Sequence, residues 1–305
     1  MFCVLFYSGI HVDKFLPSAT LIRSIILRTA NISHGQFACS EQLILLYEND
    51  TFFLLNADDQ ELSRLRWDKN DYDRFGFIAC IIWSGRSNAF LVLSHRALFT
   101  FKYLDSRIVK ERQGAVYASD KQRGSRLRFI TCESRNDYLF LNRGYHTIQQ
   151  YKMGVWTRYR EWTTNSLSYS DIDEIRDITV DRNGDYLVMN VCKNGTIWVI
   201  DVRATDEGLT LINRIEGFHH KLQLFSPSNY WLFVHGDPNK LYLYDVRGDD
   251  AHIPKEVLFG NNEDDPQFSF SKTAPINFRW LGDTCLVLGT INDSNQHGVL
   301  KLYRI

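Results

Sequence analysis

The stretch Gly217-Phe-His-His-Lys-Leu-Gln-Leu-Phe-Ser-Pro-Ser-Asn-Tyr-Trp-Leu-Phe-Val-His-Gly-Asp-Pro-Asn-Lys-Leu-Tyr-Leu-Tyr-Asp-Val-Arg247 decides the fold. Leu222, Leu224 and Phe225 form a short apolar run, stopped by Ser226-Pro227-Ser228-Asn229, whose proline and short polar side chains favour a turn. Tyr230 to Val234 is a second run. Gly236-Asp237-Pro238-Asn239 turns the chain again, and in Leu241 to Val246 the residues alternate as a third strand. Three strands joined by tight turns, within about thirty residues, are the unit to look for elsewhere.

The unit recurs. Second strands of successive units begin near Leu43, Ala89, Tyr138, Tyr186, Tyr230 and Cys285, a period of about 45 to 50 residues, which suits sheets of four strands arranged radially. Full units are read at Phe37–Trp67, Phe77–Arg112, Leu127–Trp162 and Ile175–Ile215; the fifth is completed by a fourth strand at Glu256–Phe259. The sixth, at Ile276–Tyr303, lacks its fourth strand, and the unassigned apolar segment Leu21–Ala30 is the piece available to supply it. Closing the array into a ring removes the unpaired N–H and C=O groups that an open array leaves at both ends. The expectation is an all-β, single six-bladed β-propeller over residues 21–305, closed by an N-terminal strand, with residues 1–20 as an N-terminal extension or partial blade. Seven blades, with Met1–Thr20 carrying part of the seventh, is the alternative. Apolar spacing at three and four residues is nowhere sustained, so no flanking helical domain is expected.

Composition agrees with strands. Aromatics are 14% of the 305 residues, against six prolines and three methionines. The formal net charge is −1, which gives the whole chain no electrostatic reason to seek nucleic acid or an anionic membrane. Six cysteines, at positions 3, 39, 80, 132, 192 and 285, are scattered without a Cys-x-x-Cys pair, as expected of thiols in a reducing compartment, cytoplasmic or nuclear. No secretion signal and no apolar run of about 20 residues is read, so no membrane span is expected.

The opening stretch resembles a WD repeat, with a Gly-x-x-His opening, a Phe-Ser-Pro turn, and Tyr244-Asp245 where that family has Trp-Asp. The resemblance is carried by the fourth and fifth units. It implies a rigid disc whose loops bind a protein or peptide, without catalysis and without a cofactor, acting as a monomer or as a subunit of a larger complex. It also implies that His219 or His220 bonds Asp237 within a blade. Asp201-Val202-Arg203 and Asp245-Val246-Arg247 stand where the family's Asp-x-Arg can dock a cullin-ring ligase adaptor, and Asn194-Gly-Thr-Ile-Trp-Val-Ile-Asp-Val-Arg203 is similar to that docking box. Asn194 stands where the box has Asp, and Ile200 where it has Trp.

The residues also nominate a rim. A loop from Gln113 to Arg126 holds Tyr117, Lys121, Arg123 and Arg126 against one acid, Asp120. The corresponding loop from Thr163 to Glu174 holds Asp171, Asp173 and Glu174 without a base, and Asn261–Ala274 adds Glu263, Asp264 and Asp265. In a ring these loops share one face, where a basic sector beside acidic ones orients a charged partner. Trp156, Arg158, Arg160 and Trp162 alternate and are expected to share one strand face, but the neighbouring acidic loops oppose a nucleic-acid site. A metal-dependent hydrolase, with Glu133, Asp181 and Asp283 converging in the central channel, is the competing reading. No Gly-x-Ser-x-Gly turn, phosphate loop or zinc spacing supports an enzyme.

Overall fold

The computed structural model describes residues 37–40, 42–56, 58, 60–114, 116, 126–132, 137–163, 174–180, 185–191 and 196–203 with their side chains. The backbone alone is described for 18–26, 115, 117 and the strands at 210–215, 221–224, 231–235, 241–245, 255–256, 258–259, 277–281, 285–291 and 298–304.

Four blades are laid out as four-stranded antiparallel meanders, each in chain order. Blade 1 is Phe37–Cys39, Leu43–Glu48, Thr51–Asn56 and Glu61–Arg66; blade 2 is Ile78–Ser84, Ala89–Ser94, Ala97–Leu104 and Arg107–Tyr117. Blade 3 is Leu127–Cys132, Tyr138–Arg143, Thr147–Lys152 and Thr157–Thr163; blade 4 is Ile175–Val180, Tyr186–Val191, Thr196–Asp201 and Thr210–Ile215. First strands of successive blades lie side by side, and the fourth strands of blades 1 and 3 are the exposed outer edges. This is the arrangement of a β-propeller.

Burial explains why the middle strands read as continuous apolar runs rather than as alternating ones. Ala89–Ser94 is buried at every residue, because each face of a blade packs on a neighbouring blade. Three apolar clusters fill the joints: one between blades 1 and 2 around Trp67, one between blades 2 and 3 around Leu91 and Leu139, and one between blades 3 and 4 around Phe140 and Met189. Trp67 is 1% exposed, its ring edge-on to Phe99 at 5.2 Å, and its indole N–H donates to the Gly76 carbonyl at 3.2 Å. Each such fully buried large side chain stabilises the joint by about 1.5–3 kcal/mol. Cysteine thiols serve the same joints: Cys80 Sγ donates to the Ile130 carbonyl and Cys132 Sγ to the Trp83 carbonyl.

Within blades 1 to 4 the expected strands are recovered with boundaries shifted by a residue or two, with three corrections, while the segment expected at Leu21–Ala30 forms its strand at Ser18–Ile26. First, Tyr117 is not a loop residue. The outer strand of blade 2 runs on to it: the Gln113 amide is buried and donates to Thr100 Oγ1 at 2.9 Å, and after an irregularity that follows Gln113 the pairing resumes with Tyr117 opposite Ala97. Second, a helix, Lys69–Phe75, sits between blades 1 and 2 where no element was expected. Asp68 caps it by accepting from the Asp71 N–H, and Gly76 ends it at φ 78°, ψ −163°, a region essentially reserved for glycine. Seven residues are too few to show a period, so the helix leaves only its cap in the sequence. Among the described residues no helix is long and apolar enough to cross a membrane.

The third correction concerns the outer strand of blade 3. The pairing slips at Gln150/Tyr151, so Arg160 lies opposite Gln150 and Arg158 opposite Tyr151, with Tyr159 the extra residue. The alternation expected for Trp156, Arg158, Arg160 and Trp162 is therefore broken. Trp156, in the preceding turn at φ 54°, packs on the joint with blade 2, while Trp162 packs on the joint with blade 4. A bulge adds one residue and so exchanges the two faces.

The rest of the chain is described through its backbone pairing. Lys221–Leu224, Trp231–His235, Leu241–Asp245 and Lys255–Glu256 form one sheet. Asn277–Leu281, Cys285–Ile291 and Gly298–Arg304 form another, joined by Ser18–Ile26, which runs antiparallel to Gly298–Arg304 with Ser24 opposite Lys301. The strand expected at Glu256–Phe259 is split: Leu258–Phe259 pairs in parallel with Ser18–Ala19 instead. The His219, His220 and Asp237 contact lies outside the described residues.

Candidate functional site: the face of the second turns

Antiparallel strands put every turn between second and third strands, and every link from a fourth strand to the next first strand, at the same end of the blades. On this face the described residues form a connected rim. In blade 2 the turn is His95-Arg96, shaped by Ser94, whose Oγ accepts from the Arg96 and Ala97 N–H groups. In blade 3 it is Gly144-Tyr145-His146, with Gly144 at φ 62°.

Each turn staples two blades. The His95 N–H donates to the Phe77 carbonyl of its own blade, and its carbonyl accepts from the Leu127 N–H of blade 3 at 2.9 Å. One blade on, the Gly144 N–H donates to the Arg126 carbonyl and the Tyr145 carbonyl accepts from the Ile175 N–H of blade 4. Arg96 Nη1 donates to the Asp73 and Arg74 carbonyls at 2.8 and 3.2 Å, tying the end of the helix to the same rim.

A repeated bulge sets what the rim presents. The pairing of first and second strands slips between Ile78 and Cys80, between Leu127 and Phe129, and between Ile175 and Asp177. The extra residues are Ala79, Arg128 and Arg176, at the same place in three consecutive blades. The flanking apolar residues prove the register: Ile78 and Ile81 share one joint, Leu127 and Ile130 the next, Ile175 and Ile178 the third. Residues three apart reach the same side of a strand only if one of them is surplus.

Arg128 reaches across to blade 4. Its Nη1 donates to the Ile175 carbonyl at 3.0 Å and to Glu174 Oε1 at 2.7 Å, and the guanidinium lies over the Tyr145 ring at 4.9 Å. Arg126 and Arg176 are exposed. His95 is half-buried, and its pKa is lowered by burial first and then by Arg126, Arg96 and Arg128. Two rings stand out from the rim: Phe77 is 58% exposed, stacked edge-on against Tyr72 at 4.5 Å, and Tyr145 is 50% exposed.

The residues nominated from sequence divide between two faces. Arg126 and Glu174 lie on the rim, and Tyr117 ends the strand that leads into it. Glu174 is not an unpaired acid, since Arg128 holds it. Lys121, Arg123, Asp171, Asp173 and the loop Asn261–Ala274 lie outside the described residues. Asp201 and Arg203 are on the opposite face, where the Val202 N–H donates to the Asp185 carbonyl. There Arg203 forks onto Asp201, with Nη2 to Oδ2 at 2.6 Å and Nε to Oδ1 at 3.0 Å, and Nη2 also donates to the Tyr186 hydroxyl. Hydrogen bonds from Arg203 hold the Asp201 carboxyl below its usual range. For Asp245 the backbone alone is described, pairing with Trp231, and Arg247 lies outside the described residues.

Glu133, Asp181 and Asp283 also lie outside the described residues. Among the described residues no group of three His, Cys, Asp or Glu side chains is placed to hold a metal ion. Sequence reading missed Phe77, His95, Arg96, Arg128, Tyr145 and Arg176. For the two bulge arginines a signal existed: Leu127-Arg-Phe-Ile130 and Ile175-Arg-Asp-Ile178 place apolar residues at the first and fourth positions, out of step with a regular strand.

No family model matches the chain, and no curated protein matches it. Among solved structures, the β-propeller domain of Myceliophteria thermophila Cps50 (Swd1) is similar with a TM-score of 0.55 at 11% identity, over 88% of this chain and 82% of that one. KlHsv2 with its loop 6CD replaced by a Gly-Ser linker gives a TM-score of 0.46 at 15% identity, over 86% of this chain and 80% of that one. The chain has a β-propeller fold, similar to that of a WD-type propeller.

Proposed function

We propose that the protein is a non-catalytic scaffold of WD-repeat type that binds a protein or peptide through the face of the second turns. The observation that carries this reading is the conjunction on one rim of exposed Phe77 and Tyr145 with Arg126, Arg128 and Arg176. Exposed aromatic rings and arginines are the side chains that most often anchor partners. The turns that present them are tied blade to blade by main-chain hydrogen bonds, so little ordering entropy is lost on binding. Tyr117, Lys121, Arg123, Asp171, Asp173 and Glu174 extend the surface in this proposal, and Asp201, Arg203, Asp245 and Arg247 are a second, separate contact on the opposite face.

The disc itself is proposed to have six blades in one domain, completed by Ser18–Ile26. What supports this count is that Asn277–Leu281 lies beside Phe37–Cys39, the first strand of blade 1, while Ser18–Ile26 completes the last sheet as its fourth strand. An intracellular location, as monomer or as a subunit of a complex, accords with the thiols of Cys39, Cys80 and Cys132.

The test is affinity capture from a cell lysate with the wild type, with Lys121, Arg123 and Arg126 reversed to Glu, and with Arg203→Ala. Loss of the captured partner with the triple reversal alone supports the rim. Loss with Arg203→Ala alone moves the site to the other face. A saturable, calcium- or magnesium-dependent rise in Tm that disappears in Asp181→Ala would replace the scaffold with the hydrolase.

A further inference from the structure

Resting on the reading of the rim as the partner site, we propose that its partner is an acidic peptide segment carrying apolar side chains, and that Glu174 occupies the place of one of that peptide's carboxylates. Around blades 2 to 4 the charge on the described rim is one-sided. Arg96, Arg126, Arg128, Arg143 and Arg176 stand at the ends of the strands and turns there with Glu174 as the acid among them, whereas toward blade 1 the same face also carries Asp50, Asp68, Asp71 and Asp73. Arg96 and Arg126 adjoin the two residues joined across blades 2 and 3 by the Leu127 N–H to His95 carbonyl hydrogen bond, and Arg128 follows Leu127, so the three arginines belong to one stretch of the rim.

Glu174 shows how a carboxylate is received here. Its Oε1 accepts from Arg128 at 2.7 Å while the same guanidinium lies over Tyr145, 4.9 Å from the ring centroid, so the ion pair is backed by an aromatic ring that is itself half exposed. The pair is partly open to water, with the Arg128 and Glu174 side chains 25% and 34% exposed, so an incoming carboxylate can exchange with Glu174 at small cost. Phe77 beside His95 and Tyr145 beside Arg128 supply apolar footholds on either side of the arginines. Planar guanidiniums that pair with carboxylates and aromatic faces that bury apolar side chains together match a peptide in which acidic and apolar residues alternate.

The test uses the full chain and a fluorescein-labelled peptide of alternating glutamate and phenylalanine, followed by fluorescence anisotropy at about 0.1 M salt, where the Debye length is about 10 Å. The expected signs are opposite. Glu174→Gln removes the internal competitor and tightens binding by about two- to fivefold, the equivalent of a partly exposed ion pair. Arg126→Glu with Arg176→Glu, both at exposed positions, weakens it by about tenfold or more. Tyr145→Ala weakens it without changing its salt dependence. Far-UV circular dichroism and Tm of each variant separate lost binding from lost folding. Weaker or unchanged binding by Glu174→Gln overturns the internal-competitor assignment. Equal binding of a lysine–phenylalanine peptide, or binding of phosphatidylserine vesicles in place of the peptide, overturns the acidic-peptide assignment. If the acidic peptide fails while the triple charge reversal still abolishes lysate capture, the partner chemistry falls and the rim survives. Failure of both removes the rim.

Discussion

Asp71→Asn tests whether the helix between blades 1 and 2 is held by one ion pair. Lys110 Nζ donates to both carboxylate oxygens of Asp71 at 2.6 Å, and the ammonium sits 5.0 Å from the Trp67 ring centroid and 5.9 Å from that of Phe99. The Lys110 and Asp71 side chains are 25% and 12% exposed, so the pair lies between the surface and interior limits. At an effective dielectric of about 20 and a charge separation of about 3.5 Å, the Coulomb attraction is about 5 kcal/mol. Holding the lysine side chain costs up to about 2 kcal/mol in rotamer entropy, and partial desolvation of both groups takes back more. The net contribution is therefore about 1–2 kcal/mol. Removing only the carboxylate also strands the ammonium, so Asp71→Asn is expected to cost about 2–3 kcal/mol, below the 3–5 kcal/mol of a fully buried pair. Lys110→Met removes the stranded charge and lays an apolar chain over the same rings. The double variant is accordingly expected within about 1 kcal/mol of wild type, less than the sum of the single changes. Urea denaturation with the slope m checked for constancy measures this. An Asp71→Asn cost below about 0.5 kcal/mol, or strict additivity in the double variant, refutes the reasoning.

Two further outcomes are expected. Gly76→Ala destabilises by about 1–3 kcal/mol, read from urea melts, because φ 78° with ψ −163° is closed to alanine and its Cβ would also meet His95 Cβ at 3.4 Å. His95 is held below its ordinary pKa of 6.5 by burial and three arginines, so the unfolded chain binds its proton first as pH falls. Stability is then fully present above pH 6.5 and declines until pH passes the lowered folded value; His95→Asn flattens that part of a Tm-against-pH curve.

The blades were legible because the middle strands are buried on both faces, and burial leaves runs such as Ala89–Ser94 and Tyr186–Val191 that need no alternation to be found. Their turns carry their own chemistry, as Ser94 does for His95-Arg96. The rim was only half legible. Arg126 lay in a loop that composition flagged, whereas Arg128 and Arg176 were hidden inside strands, because a bulge changes what one position faces without changing which residue types a strand prefers. The same physics misplaced Trp156 and Trp162. Glu174 reads in the sequence as one of the acids of a loop, and its partner Arg128, far away along the chain, is brought to it only by the adjacency of blades 3 and 4.

The most direct test of the binding face is photo-crosslinking with a benzophenone amino acid replacing Tyr145, 50% exposed in a second turn, or Val155, 65% exposed in a third turn on the opposite face. The partner is expected to crosslink from position 145 and not from 155. Crosslinking from 155 with none from 145 would contradict the account.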